Sequence, residues 1–125
     1  MSRSILLQIT RDSIEEVFQA KYKIDKEALL HEHPLLNEPV AISINIYINE
    51  ELQGSYTRAQ STNNSLLRNI IIGAKKAAFE DRETLTTSQY LHAKIELILH
   101  TQNGDMSEID PAILKDNSDK NVAIY

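Results

Sequence analysis

Val40-Ala41-Ile42-Ser43-Ile44-Asn45-Ile46-Tyr47-Ile48 is the stretch that decides the fold class. Ile42, Ile44, Ile46 and Ile48 alternate with Ser43, Asn45, Tyr47 and Asn49. A period of two sends the isoleucines to one face of an extended chain and the polar residues to the other, which predicts a half-buried strand. Asn49-Glu50-Glu51 is a polar break, and Leu52 to Arg58 can return beside the first strand. The reading is therefore an antiparallel hairpin over 40–58. Gly54, inside the return strand, points to a bulge or a close backbone approach.

On the C-terminal side, Gln60 to Asn64 is polar loop, and a helix is expected from Ser65 to Glu80. Leu66, Leu67, Ile70, Ile71, Ala74, Ala77 and Ala78 give it a broad apolar face, and Gly73 and the alanines let that face sit close to a sheet. Thr87 or Ser88 can cap a single turn through Leu91. Ala93 to Thr101 alternates again and predicts a third strand over 93–101. Gln102 to Asp105 reads as loop, and Pro111 suits the first turn of a short helix over 109–114. Asp116 to Lys120 is polar, and the chain ends on Val122-Ala123-Ile124-Tyr125.

On the N-terminal side, Ser4 to Lys21 predicts an amphipathic helix capped by Ser2 or Ser4. Leu6, Ile9, Ile14, Val17 and Phe18 fall on its apolar side, and Arg11, Asp12, Glu15, Glu16 and Gln19 on the other. Asp25 can cap a second helix that Pro34 stops, and 34–39 reads as a connector. The sum is an α+β domain with an antiparallel or mixed sheet and helices packed on one face. One domain spans 1–125, with 102–125 an irregular tail or truncated continuation.

Composition narrows the function classes. The 125 residues carry 42% hydrophobic and 25% charged side chains, ordinary for a globular domain and too apolar for a disordered chain. No cysteine is present, which removes disulfides, thiolate metal sites and a cysteine nucleophile together. A net charge of -5 argues against a general nucleic-acid binder. No apolar run approaches a membrane span, so a soluble, cytoplasmic protein is expected.

Ala74-Lys75-Lys76-Ala77-Ala78-Phe79-Glu80-Asp81-Arg82, followed by Leu85-Thr86, resembles a segment of the AMME chromosomal region protein family, Ala-x-x-Ala-Ala-x-x-Asp. The strand at 93–99 is similar to the one that follows it in that family, and Ser4 to Val17 to the family's opening helix. The departures are specific. Where the family has Leu-Arg-Gly-Cys-Ile-Gly, this chain has Leu52-Gln53-Gly54-Ser55-Tyr56-Thr57 and keeps only the leucine and the glycine. The segment after Asp81 is shorter and lacks the family's Phe and Pro, and the family's later Leu-Leu-Pro motif is missing. The chain reads as a divergent, shortened member or a fragment.

The resemblance places Gln53, Gly54, Ser55, Asp81 and Arg82 at a candidate binding site. Ser55 stands where the family has its cysteine, but a serine hydroxyl needs a neighbouring base and no histidine lies beside it in sequence. Asp81 opposes the helix macrodipole at a C-terminal end, so another contact must favour it. His31-Glu32-His33 has the look of a metal pair without a third ligand, and no metal is expected. His92 and His100 stand alone, Lys75, Lys76, Arg68 and Arg58 read as a solvated face, and no cofactor is expected.

Two functions follow. The first is a non-catalytic binding or assembly module whose apolar surface meets a second copy or a protein partner; the resemblance implies Memo-type dioxygenase-like or radical SAM proteins as such partners. The alternative is a small enzyme using Ser55, Asp81 and Arg82 beside the hairpin on a small substrate.

Overall fold

A computed structural model describes residues 4–57, 64–81 and 84–114 of the chain. Four helices, α1 (Ile5–Gln19), α2 (Lys26–Glu32), α3 (Leu66–Phe79) and α4 (Thr87–Leu91), accompany four strands among the described residues. The strands are β1 (Ala41–Ile48), β2 (Glu51–Thr57), β3 (Lys94–Thr101) and β4 (Gly104–Asp110), and a short 3-10 turn, Pro34–Asn37, leads into β1. They form one antiparallel sheet in the order β2-β1-β3-β4. The α+β architecture expected from the sequence is thus the architecture of the protein, and the sheet is antiparallel throughout its described strands. No helix among the described residues is long and apolar enough to cross a membrane.

The alternation in β1 does what its period demands. Ile42, Ile44 and Ile46 are fully buried with Ile95 and Leu97 of β3 beneath α3, whose Ile70, Ala74, Ala77 and Ala78 close the core. The hairpin turns at Asn49 and Glu50, both with positive φ (53° and 68°), the twist that suits a two-residue connection. Opposite Ile46 and Tyr47 the register slips by one, leaving Gln53 as the extra residue of a bulge beside Gly54.

Helix ends follow side-chain caps. Ser4, Asp25 and Ser65 accept bonds from the amides of Leu7, Ala28 and Arg68. At α4 the cap is Thr86, one residue earlier than expected, because Gln89 completes a reciprocal capping box with it.

Two expectations need correction. Residues 104–110, expected as loop, short helix and irregular tail, are β4, paired with β3 from Thr101↔Gly104 to Ile95↔Asp110. Gly104, at φ 117°, makes the tight return that launches the strand, and Pro111 follows it instead of opening a helix. The segment Gly-Asp-Met-Ser-Glu-Ile-Asp has little strand propensity of its own, so β3 supplies the pairing that its sequence does not announce. Residues 115–125, with the apolar ending, lie outside the described residues.

The second correction concerns α1. Arg11 is fully buried and Glu16 nearly so, whereas Val17 is 47% exposed. The helix is covered on two stripes, Leu7-Arg11-Ile14 and Ile9-Ser13-Glu16, each at helical spacing. Thr10 and Ser13 tolerate burial because each donates its hydroxyl to the carbonyl four residues back.

Candidate functional site

The two segments that hold the expected site residues, 52–57 and 74–81, meet at the junction of β2 and α3. β2 lies so close to α3 that a Cβ on Gly54 would stand 2.1 Å from the Ala77 carbonyl oxygen. One helical turn earlier, Gly73 makes room for the Tyr56 ring. The small residues therefore set the distance between helix and strand.

Asp81 follows the end of α3, its own amide held by Lys76 O. Its carboxylate accepts the Ser55 amide at 3.0 Å. β2 is an edge strand, so that amide has no strand neighbour on its outer side; Asp81 satisfies it. This bond is one contact that favours an acid at an otherwise unfavourable helix terminus.

Ser55, Tyr56, Lys76, Glu80 and Asp81 line a shallow hollow of about 230 Å³ at this junction. Lys76 and Glu80 form an exposed i,i+4 pair at 3.5 Å on its rim. Of the residues expected here, Gly54, Ser55 and Asp81 are brought together and Gln53 sits in the adjacent bulge; Arg82 lies outside the described residues. No described histidine lines the hollow; its acidic groups are the Glu80 and Asp81 carboxylates. The lining sets the amide-bound Asp81 carboxylate beside the Lys76–Glu80 ion pair.

No protein-family model matches the chain, and no curated protein matches it. Among solved structures it is similar to the uncharacterized protein PH0010 from Pyrococcus horikoshii, with a TM-score of 0.62 and 16% sequence identity. The match covers 75% of this chain and 48% of that one, so the chain spans about half the length of PH0010. At that identity the likeness establishes the fold.

Three further polar clusters were not legible in the sequence. The first joins α1 to the far edge of the sheet. Arg11 forms a buried salt bridge with Asp110 and donates through Nη2 to the carbonyls of Ala93 (3.0 Å) and Pro111 (2.9 Å). Its guanidinium also lies 5.1 Å from the centre of the Tyr90 ring. Tyr90 donates to Glu15 at 2.6 Å, and burial, with the neighbouring Glu15 carboxylate, pushes its hydroxyl well above the ordinary tyrosine value.

The second cluster ties α1 to α3. Burial alone would raise the Glu16 carboxyl, but bonds from the Lys23 and Ile24 amides and from Lys75 Nζ (3.0 Å) outweigh it and hold Glu16 below the ordinary value. Lys75 is thus a structural partner, where the sequence suggests only a solvated face. Glu16 and Lys75 also border a hollow of about 290 Å³ with Val17, Ala20, Lys21 and Tyr22. Glu15 is lowered as well: Lys23 and Tyr90 overcome the effect of its burial.

The third cluster lies on the sheet face opposite the helices. Ser43 Oγ is 2.7 Å from His100 Nε2, and His100 Nδ1 is 2.8 Å from Asp105 Oδ1. Beside it, Asn45 and Tyr47 both donate to Glu96 Oε1. Ser43 and His100 occupy polar positions of alternating strands, which was the available signal; Asp105 was hidden because β4 was not recognised. His100 is therefore not the isolated histidine the sequence suggests. His31 and His33 stand at the end of α2, and no group of three His, Asp or Glu among the described residues is placed to hold a metal ion.

Proposed function

We propose that the chain is a cytoplasmic binding and assembly module of the AMME chromosomal region type, and that it pairs with a second copy of itself along β4. The observation that carries this reading is apolar surface gathered at one sheet edge: Met106 is 60% exposed, Ile109 54%, Ile113 41% and Leu114 48%. Exposed apolar side chains beside a strand whose outer edge is unpaired among the described residues form a surface that chain association covers.

The opposite edge does not compete, because the Asp81 carboxylate occupies an outward amide of β2. β4 is self-complementary: a two-fold axis at Ser107 sets Asp105 opposite Ile109 of the second copy and Met106 opposite Glu108, so no like charges face each other directly. In this reading the β2–α3 hollow binds without catalysis, consistent with a serine where the family has its cysteine and no histidine beside it among the described residues.

Native mass spectrometry and light scattering on the full chain at tens of micromolar test the proposal. A dimer that becomes monomeric in Ile109→Lys and Met106→Lys supports it. A wild-type monomer at that concentration overturns self-pairing, and a monomer that forms a defined complex with a Memo-type or radical SAM protein replaces the second copy with that partner.

A further inference from the structure

Ser43, His100 and Asp105 come from three adjacent strands and form one hydrogen-bonded chain on the sheet face opposite α3. An ionised carboxylate can only accept, so His100 Nδ1 carries the proton toward Asp105, and the neutral ring leaves Nε2 to accept from the Ser43 hydroxyl. This is the arrangement that turns an ordinary serine into a nucleophile: a base within hydrogen-bond reach, itself oriented by a carboxylate.

The surroundings suit a small acyl group. Ser43 is 5% exposed, which excludes bulky substrates, and it pairs directly with Ile98 on β3 and Thr57 on β2. Residues directly opposite share a face with Cβ atoms about 4.5–5.5 Å apart. Ile98 thus offers an apolar side to the acyl chain, and Thr57 a hydroxyl that can donate to an oxyanion. The strand amides around Ser43 are engaged in sheet pairing, so the threonine is the donor this geometry provides, and slow turnover is expected.

We propose that Ser43 is an acyl-accepting nucleophile for short-chain esters, with His100 as its general base and Asp105 as the positioning residue. Ser43 Oγ attacks the ester carbonyl carbon while its proton passes to His100 Nε2. The C–O bond to the alcohol breaks, and the leaving oxygen takes the proton from His100. Water, deprotonated by the same imidazole, then attacks the acyl-serine, releasing the carboxylic acid and restoring the hydroxyl. The inference rests on the hydrogen-bonded chain Ser43–His100–Asp105 and is independent of pairing along β4.

The test treats the full chain with a fluorophosphonate, which phosphonylates an activated serine and releases fluoride, and locates the adduct by mass spectrometry. One adduct on Ser43 is expected, forming at least about 100-fold more slowly in His100→Ala, with circular dichroism verifying the variant's fold. p-Nitrophenyl acetate should give a burst of one p-nitrophenolate per chain that is lost in Ser43→Ala. In the wild type, labelling should rise with pH along a single imidazole titration, and Asp105→Asn should slow labelling and displace that titration, an effect that loss of packing alone does not produce. Absence of an adduct on Ser43 overturns the proposal, as does equal labelling in wild type and His100→Ala. If His100→Ala does not fold, a wild-type labelling rate with no imidazole titration overturns it equally.

Discussion

Replacing Gly54 by alanine places a methyl carbon 2.1 Å from the main-chain oxygen of Ala77, where ordinary contact begins near 3.4 Å. β2 and α3 must therefore separate by roughly 1 Å, since neither obstacle is a rotatable side chain. A gap of that size forfeits a quarter to a half of each dispersion contact across the interface, and the movement also strains the Asp81–Ser55 bond. Overpacking of close-packed interiors costs about 1–3 kcal/mol, and a backbone obstacle belongs at the upper end, about 3 kcal/mol. For a chain of this length that corresponds to a fall in Tm of roughly 10 °C or more. Urea unfolding and thermal melts of Gly54→Ala measure it directly. Gly73→Ala provides the contrast: its Cβ meets the Tyr56 ring at 2.7 Å and Ile42 Cδ1 at 3.1 Å, both side-chain atoms. Its cost should be smaller and be partly relieved by Tyr56→Leu, whereas Ala77→Gly should not rescue Gly54→Ala. A Gly54→Ala protein that melts within about 2 °C of wild type, or is rescued by Ala77→Gly, would refute the reasoning.

Other perturbations have equally definite outcomes. Asp110→Asn leaves the Arg11 charge buried without its partner and should cost about 3–5 kcal/mol, while Arg11→Met with Asp110→Leu should recover most of the loss in a double-mutant cycle. Glu15 and Glu16 are held below 4.5, so their contribution is fully present above that pH and is lost as pH falls through their folded-state values. Acid titration of Glu16→Gln should accordingly show a shallower fall in stability below pH 4.5 than wild type. Glu50 sits at φ 68° in the β1–β2 turn, so Glu50→Gly should gain up to about 1 kcal/mol in chemical denaturation. Ser65→Ala removes the hydroxyl that accepts the Arg68 amide and should cost about 1 kcal/mol by the same measurement.

Local chemistry made much of the molecule readable from the chain. The isoleucines of β1 have a period of two, and such a pattern can bury one face only as a strand. Ser4, read with Ser2 as the alternative cap, and Asp25 marked helix starts because a side-chain oxygen beside free amides is a local device. Gly54 announced a close approach, and the alanine-rich face of α3 announced what approached it. What those signals lacked was any statement of distance along the chain. Arg11 was assigned to water because burial of a guanidinium is favourable only beside a carboxylate, and its carboxylate lies 99 residues away, in a strand with little propensity of its own. Asp81 was legible as an anomaly, yet its partner, an edge-strand amide of β2, exists only once the sheet has formed. Ser43, His100 and Asp105 read separately as two wet-face positions and a loop residue. Strand pairing alone decides that they touch, because register is set by the accumulated hydrogen bonds and buried area of whole strands rather than by any one residue.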